Sequence, residues 1–411
     1  MPVDFNRIPP PIEVPPPPQP SAIIWIVLLA LVLGVGAGLT IMVWPAGRPT
    51  NTLWFWFCIA GYPFLAWAFL LCAWLGYGHA RRSEAIAANR VSAEAEQACH
   101  ALASKSLAIL GHAWCFSADH AENTLEEIQK AVGQQKLRAS GSGANSDVAA
   151  RWLEIPGARF EPGNELNESA RHAALCGWLL EHLTHRLTPQ LNALPRHTKL
   201  QIEFHVQSRM KTAVVEAQLR DFIAGKAWAG KVNGEPSVGQ GLPLFRTDAW
   251  LDAQDPNVTY LLIAIELHDA ISTVLPDGVA EAGVALLLGH PRLNLSPTSS
   301  ALCLHRPARD VPGSAANAIE LAARWAMSSI ERVRTVWTHG LKGERMSTVR
   351  RATKAGDDTA WMALETSIGD CSKAGPWLAL ALAAENACIT ADPQLVLCEE
   401  DGNLVAVVCR K

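Results

Sequence analysis

The sequence lacks every compact signature of nucleotide, metal or serine chemistry. It has no Walker A loop, no GxSxG elbow, no HExxH pair and no dinucleotide-binding glycine fingerprint. Its ten cysteines form no CxxC pair and no CxxC…HxxxH set, so no structural zinc site is expected, and their unpaired spacing agrees with a reducing compartment. Between Cys176 and Cys303 there is no cysteine at all. A basic excess is missing too. The 35 Lys and Arg against 39 Asp and Glu leave a net charge of −4, which gives no footprint for nucleic acid.

Charge is also absent from two long stretches. Ala22 to Val43 carries none, and at ~1.5 Å per residue it is long enough to cross a hydrocarbon core of roughly 30 Å. Leu53 to Tyr77 is a second such run, with Trp54, Trp56, Tyr62, Trp67, Trp74 and Tyr77 as aromatics suited to a membrane–water interface. A cleaved leader or a buried core helix are the other readings, but a leader's apolar region is normally only ~7–15 residues. The connecting WPAGRPTNT is too short to be a domain, so the spans form a hairpin with both chain ends on one side. Arg7, Arg81, Arg82 and Arg90 flank the outer ends against Arg48 in the loop, which predicts an inner-membrane protein with its termini and soluble part in the cytoplasm.

These spans divide the chain into a Pro-rich, disordered tail (1–21), the hairpin (22–77), a helical stalk with a flexible loop (78–150) and an α/β domain (151–411). The tail PPPIEVPPPPQP favours extended polyproline II, as a stiff lead-in or as a ligand for a proline-binding partner. The stalk is rich in Ala and Glu, and LRASGSGANSDVAARW interrupts it with Gly and Ser. Downstream, helical AALCGWLLEHLTHRL, VVEAQLRDFIAG, ANAIELAARWAMSSIERV and WLALALAAENA alternate with strand-like KLQIEFHV, YLLIAIELHD, GVALLLGH, RTVWTH and WMALETSI. QLVLCEE and LVAVVCRK close the chain as a hairpin around Asp401 and Gly402. The pattern predicts a layered α/β sandwich.

Three segments, in order, carry a resemblance: PDGVAEAGVALLLG (Pro276 to Gly289), VWTHG (Val336 to Gly340) and ETSIGDCSKAG (Glu365 to Gly375) followed by WLALALAAENA. Over Val258 to Lys411 this order resembles the C-terminal part of ketosynthases in the thiolase superfamily. The resemblance implies a thiolase-like α/β/α sandwich and matches His339 to an active-site histidine. It also matches Glu365 to the family's lysine and Asp370 to its second histidine. The family's nucleophilic cysteine, on a strand-to-helix turn, has no counterpart in the cysteine-free window. An ionised carboxylate cannot donate hydrogen bonds to an oxyanion, and the turn from Asp370 to Gly375 is one residue tighter than usual. His339, Glu365 and Asp370 are therefore expected to be vestigial, with no catalytic residue and no cofactor.

Other candidates have plain readings beside functional ones. Cys371 sits at a helix start but beside a carboxylate. His182 and His185, three apart, lack a third metal ligand. Glu266, His268 and Asp269 either bracket a pocket mouth or end a strand. Arg345, Arg350, Arg351 and Lys354 form a basic segment, either solvated or contacting an acidic partner or anionic headgroups. The whole resembles degenerate thiolase-like adaptors of type VI secretion effectors, which implies a membrane-anchored, non-catalytic scaffold for a protein partner. A homodimer is open, and a lipid-binding or acyl-transfer protein with an altered site is the alternative.

Overall fold

The computed structural model describes all residues except 1–4, 6–7, 131–137, 140–146, 254, 294–300, 311–313, 354 and 357. The Gly/Ser stretch 140–146 and Lys354 thus lie outside the described residues. The chain divides into two compact units, 3–100 and 101–411.

In the first unit, α1 (Ala22–Val43) packs against a helix that runs as α2 (Leu53–Trp56), a π turn (Phe57–Gly61) and α3 (Tyr62–Ala103). Both helices are long and apolar enough to cross a membrane. Thr40 Oγ1 donates to Gly36 O at 2.8 Å and to Cys58 O, inside the π turn, at 3.2 Å, so a carbonyl displaced from the regular ladder keeps a donor. A Cβ at Gly36 would stand 2.1 Å from the Pro63 ring, so this crossing needs glycine.

The Pro-rich tail, expected to be disordered, lies along α3. Asn89 clamps Ile12 from both sides, accepting its N–H at 2.7 Å and donating to its carbonyl at 2.8 Å. Arg82 donates to Pro15 O at 2.9 Å, and Gly78 makes room for the Pro18 ring. Proline carbonyls have no intrachain donor in an extended run, and long polar side chains on the helix supply one. The tail runs antiparallel to the helix. The six residue steps from Ile12 to Pro18 match the eleven from Gly78 to Asn89, or ~19 Å of polyproline II against ~17 Å of helix.

The second unit begins at Ala101, not at 151. SLAILGHAWC, whose Ala-rich surroundings read as stalk, is the central strand β1 (Ser106–Cys115). In chain order there follow α4 (Leu125–Lys130), a small hairpin of β2 (Arg138–Ala139) and β3 (Asp147–Val148), α5 (Glu165–Ala193), β4 (Lys199–Gln207), α6 (Thr212–Ala224), β5 (Ser237–Gly239), α7 (Thr247–Ala253), β6 (Val258–Glu266) and β7 (Ala282–Gly289). The remainder is β8 (Cys303–His305), β9 (Ala308–Arg309), α8 (Ala315–Trp325), β10 (Thr335–His339), α9 (Gly343–Thr353), β11 (Ala360–Ala363), α10 (Leu364–Ser367), α11 (Gly375–Thr390), β12 (Gln394–Glu400) and β13 (Asn403–Arg410).

The main sheet runs β11-β10-β12-β13-β8-β1-β7-β6-β4-β5, with β9 against β13. Its two ends are parallel, β11-β10-β12 and β6-β4-β5, and everything between is antiparallel. The path consists of two sets of five strands in one order. Counting each set from its own first strand, both β1, β4, β5, β6, β7 and β8, β10, β11, β12, β13 read 3-2-4-5-1 along the sheet, and the two first strands meet at Leu107↔Leu304. Helices fall at matching places: α6 corresponds to α9, and α7 to α11.

From Gly375 to Ala384 helix α11 is apolar on every side, as a helical segment without a solvent face must be. It packs on strands of both sets, β1 and β7 as well as β10, β12 and β13. One face of each strand feeds its core, as with Val284, Leu286, Val396 and Val407. The opposite face of β7 and β6, with Ala285, Leu287, Leu261 and Ile263, packs on α5 and α6, and α8 covers β13. The layered α/β architecture is the expected one. The Asp401–Gly402 turn, with φ of 50° and 77°, closes the predicted hairpin.

Asn89→Ala removes both bonds to Ile12 without touching the helix core. Hydrogen–deuterium exchange at Ile12–Val14 is expected to quicken by about tenfold, the cost of about one exposed hydrogen bond, with exchange in α3 unchanged.

Candidate functional site

The three singled-out segments converge at the N-terminal end of α11. Strand β10 ends in His339, and Gly340 turns the chain away at φ +79°. The turn from Ile368 to Ala374 carries Asp370 and leads into α11. Its backbone is tied to the Pro276–Glu281 turn, since Asp370 N donates to Gly278 O at 2.7 Å and Ala280 N to Asp370 O at 3.0 Å. Gly369 is required there: its φ is +128°, and a Cβ would stand 2.6 Å from that of Ala280.

Within this cleft each matched group is held by a neighbour. His339 is buried, 3.5 Å from the Asp370 carboxylate. Its ring lies against Gly375, where a Cβ would fall 2.0 Å from Nε2. Asp370 also accepts from Lys342 Nζ at 3.0 Å and from the Ser372 amide at 3.0 Å. His339 first, then Lys342 and Ser372, hold its carboxyl well below the usual range against the opposing effect of burial. Glu365 accepts the Gly340 N–H. Cys371 is wholly buried, and burial, with the Glu266, Asp370 and Glu365 carboxylates, pushes its thiol well up, the opposite of an activated cysteine.

The counterpart of this turn in the first strand set joins β5 to α7. Residues 239–246, GQGLPLFR, contain no Cys, Ser or Thr. The segment faces the same end of α11: Gly241 abuts the Lys373 stem, Trp377 Nε1 donates to Leu242 O at 2.7 Å, and the Glu400 carboxylate accepts the Leu244 and Phe245 amides. Thr247, just beyond, donates its hydroxyl to Leu244 O at 2.9 Å.

Glu266, Asp269 and His268 separate. Glu266 enters the cleft at 2 % exposure and accepts the Lys373 N–H at 3.2 Å. Burial, reinforced by the Asp370 charge, pushes its carboxyl up to about 8. Asp269 instead pairs with Arg209 at 2.8 Å. The His268 backbone belongs to a buried cluster that the sequence reading missed. There Arg171 donates to Glu281, Glu168 and the Leu153 and His268 carbonyls, while Glu281 accepts the His268 and Leu153 amides. The signal was Glu281 itself, a carboxylate leading into an otherwise apolar strand.

The basic segment is helix α9. Arg345 is spent on the buried Asp310 at 3.0 Å, Arg350 lies 5.1 Å from the Trp361 ring centre, and Arg351 reaches back to Ser347 O. His182 and His185 lie on α5, where a third histidine, His120, stacks on His182. No group of three His, Cys, Asp or Glu that could hold a metal occurs among the described residues.

No family model matches the sequence, and no curated protein does. Among solved structures, the chain is similar to the ishigamide ketosynthase/chain length factor, with 15% identity, TM-score 0.47, and 74% of this chain and 99% of that one covered. It is similar as well to an oxazolomycin ketosynthase domain of Streptomyces albus (11%, TM-score 0.49, 74% and 76%) and to acetamide-bound OleA of Xanthomonas campestris (11%, TM-score 0.44, 75% and 99%).

Arg171→Leu strands two buried carboxylates and is expected to cost about 3–5 kcal/mol, read as a lowered Tm. Glu266 has a folded pKa above its usual 4.5, so the folded state holds the extra proton. Its contribution to stability is therefore full below pH 4.5 and lost as pH rises through about 8. Glu266→Gln should flatten that decline, so that the difference in Tm between variant and wild type grows from pH 5 to 8.

Proposed function

We propose that this chain is a membrane-anchored, non-catalytic thiolase-like protein whose cytoplasmic domain binds a protein partner. The observation that carries the reading is the state of the cleft at α11. His339 is packed against Gly375, Asp370 is committed to Lys342, Glu365 to the Gly340 amide, and the turn facing them contains no nucleophile. Two of the three matched positions are carboxylates that already accept internal donors and offer no proton to a developing oxyanion, and His339 Nε2, which makes no hydrogen bond among the described residues, faces a turn with no Cys, Ser or Thr to activate. The tail–stalk contact supports the hairpin topology, because segments before the first span and after the second can touch only on one side of a bilayer. The resemblance implies a type VI secretion effector as the partner class.

Glu266 favours a second reading. A buried carboxyl pushed up to about 8 is protonated at neutral pH and is suited to acid–base work on an acyl group.

Co-purification of the tagged full-length protein from detergent-solubilised membranes separates the two. For a scaffold, His339→Ala and Glu266→Gln should leave recovery of a stoichiometric partner within about twofold of wild type, and acyl-thioester turnover should stay at the background of buffer. Turnover that disappears in Glu266→Gln, with no partner retained, would replace the scaffold by the enzyme.

A further inference from the structure

Away from the α11 cleft, the turn after β1 and the outer face of α5 border an open surface pocket of about 620 Å3. Its wall is aromatic: Trp178 and His182 stack with ring centres 5.3 Å apart, and His120 stacks on His182 at the same distance and an interplanar angle of 22°. Near-parallel imidazoles do not aim their nitrogens at one metal ion, in keeping with the absence of a metal group noted above.

The polar groups on the wall divide into engaged and available. Asn123 is fully used in stapling its own turn, accepting the Phe116 and Ser117 amides and donating to the Ser117 and Asp119 carbonyls. Glu181 is paired with Lys226 at 2.6 Å. Arg186 makes no hydrogen bond or ion pair among the described residues, and its guanidinium lies 5.7 Å from the Trp114 ring centre. The local field is positive: besides burial, the neighbours His120, Arg186 and His185 all lower the pKa of His182.

A cationic group that forms no ion pair among the described residues, its neighbouring carboxylate Glu385 being held by His112 at 2.8 Å, stands beside an aromatic wall in a roomy pocket and is complementary to one ligand chemistry. We propose that this pocket binds a flat aromatic anion, with its ring against Trp178 and His182 and its charge on Arg186. The ligand is either a phosphate on a heteroaromatic nucleoside or a carboxylate on an aromatic ring. This site does not depend on whether the α11 cleft is catalytic.

The test is calorimetric titration of the full-length protein in detergent micelles with AMP and, separately, with benzoate. At least one probe is expected to bind with a Kd of about 1 mM or tighter, and to weaken as salt rises. AMP alone identifies the nucleotide source and benzoate alone the carboxylate source. Arg186→Gln, an exposed change that leaves the fold intact, should weaken binding by about tenfold, the loss of one charge-assisted contact. Trp178→Leu should do the same, with an unchanged Tm as its control. Binding of neither probe overturns the proposal, as does binding that Arg186→Gln leaves unchanged.

Discussion

A helix with no polar side must be enclosed on all sides, and from Gly375 to Ala384 α11 is such a helix. Neither set of five strands could cover it alone, because one sheet face touches only one flank of a helix. Strands β10, β12 and β13 take one part, β1 and β7 another, and the antiparallel join of β1 to β8 follows from holding both sets around one core. The opening turn of α11 is equally constrained. His339, the Asp370 turn and the segment after β5 all meet there because the enclosed helix has only its ends free of the sheet.

The two strand sets share an order but not a content. Between its third and fourth strands the second set carries the sixteen residues of α11, and the first set carries the seven of α7. A second fully enclosed helix is therefore missing from the interior. Side chains of α7, including Trp250 against Trp377 at 6.1 Å between ring centres, fill space beside α11 instead. Buried acids are treated in two ways within the same half. Glu168 and Glu281 share the guanidinium of Arg171, whereas Glu266 has no such partner and meets burial by holding a proton.

Much of this was legible in the sequence. Long apolar strands such as YLLIAIELHD and GVALLLGH, the uniformly apolar WLALALAAENA and the Asp-Gly turn each carry their structure in local pattern. The convergence of Gly278, His339 and Asp370 was legible only through the order of motifs, since residues so distant in sequence meet by sheet register. Three features were not legible. SLAILGHAWC is poor in β-branched residues and follows a helix, so nothing local marks it as the central strand. WMALETSI reads as one strand but stops at Ala363, because Leu364–Ser367 turns into a helix that brings Glu365 to the Gly340 amide. The tail has the composition of a free linker, and its order comes from Asn89 and Arg82, two unremarkable polar residues far away in sequence.

The pairing of tail with α3 also sets a gear ratio. One residue of extended chain advances ~3.1 Å, and one of helix ~1.5 Å, so each tail position passes two helix positions. Helical side chains return to the same face only every three or four residues. Losing a single tail residue would thus carry Pro15 past Arg82 onto a part of the helix facing elsewhere. The length of the proline run is then constrained by the spacing of two polar residues on a helix.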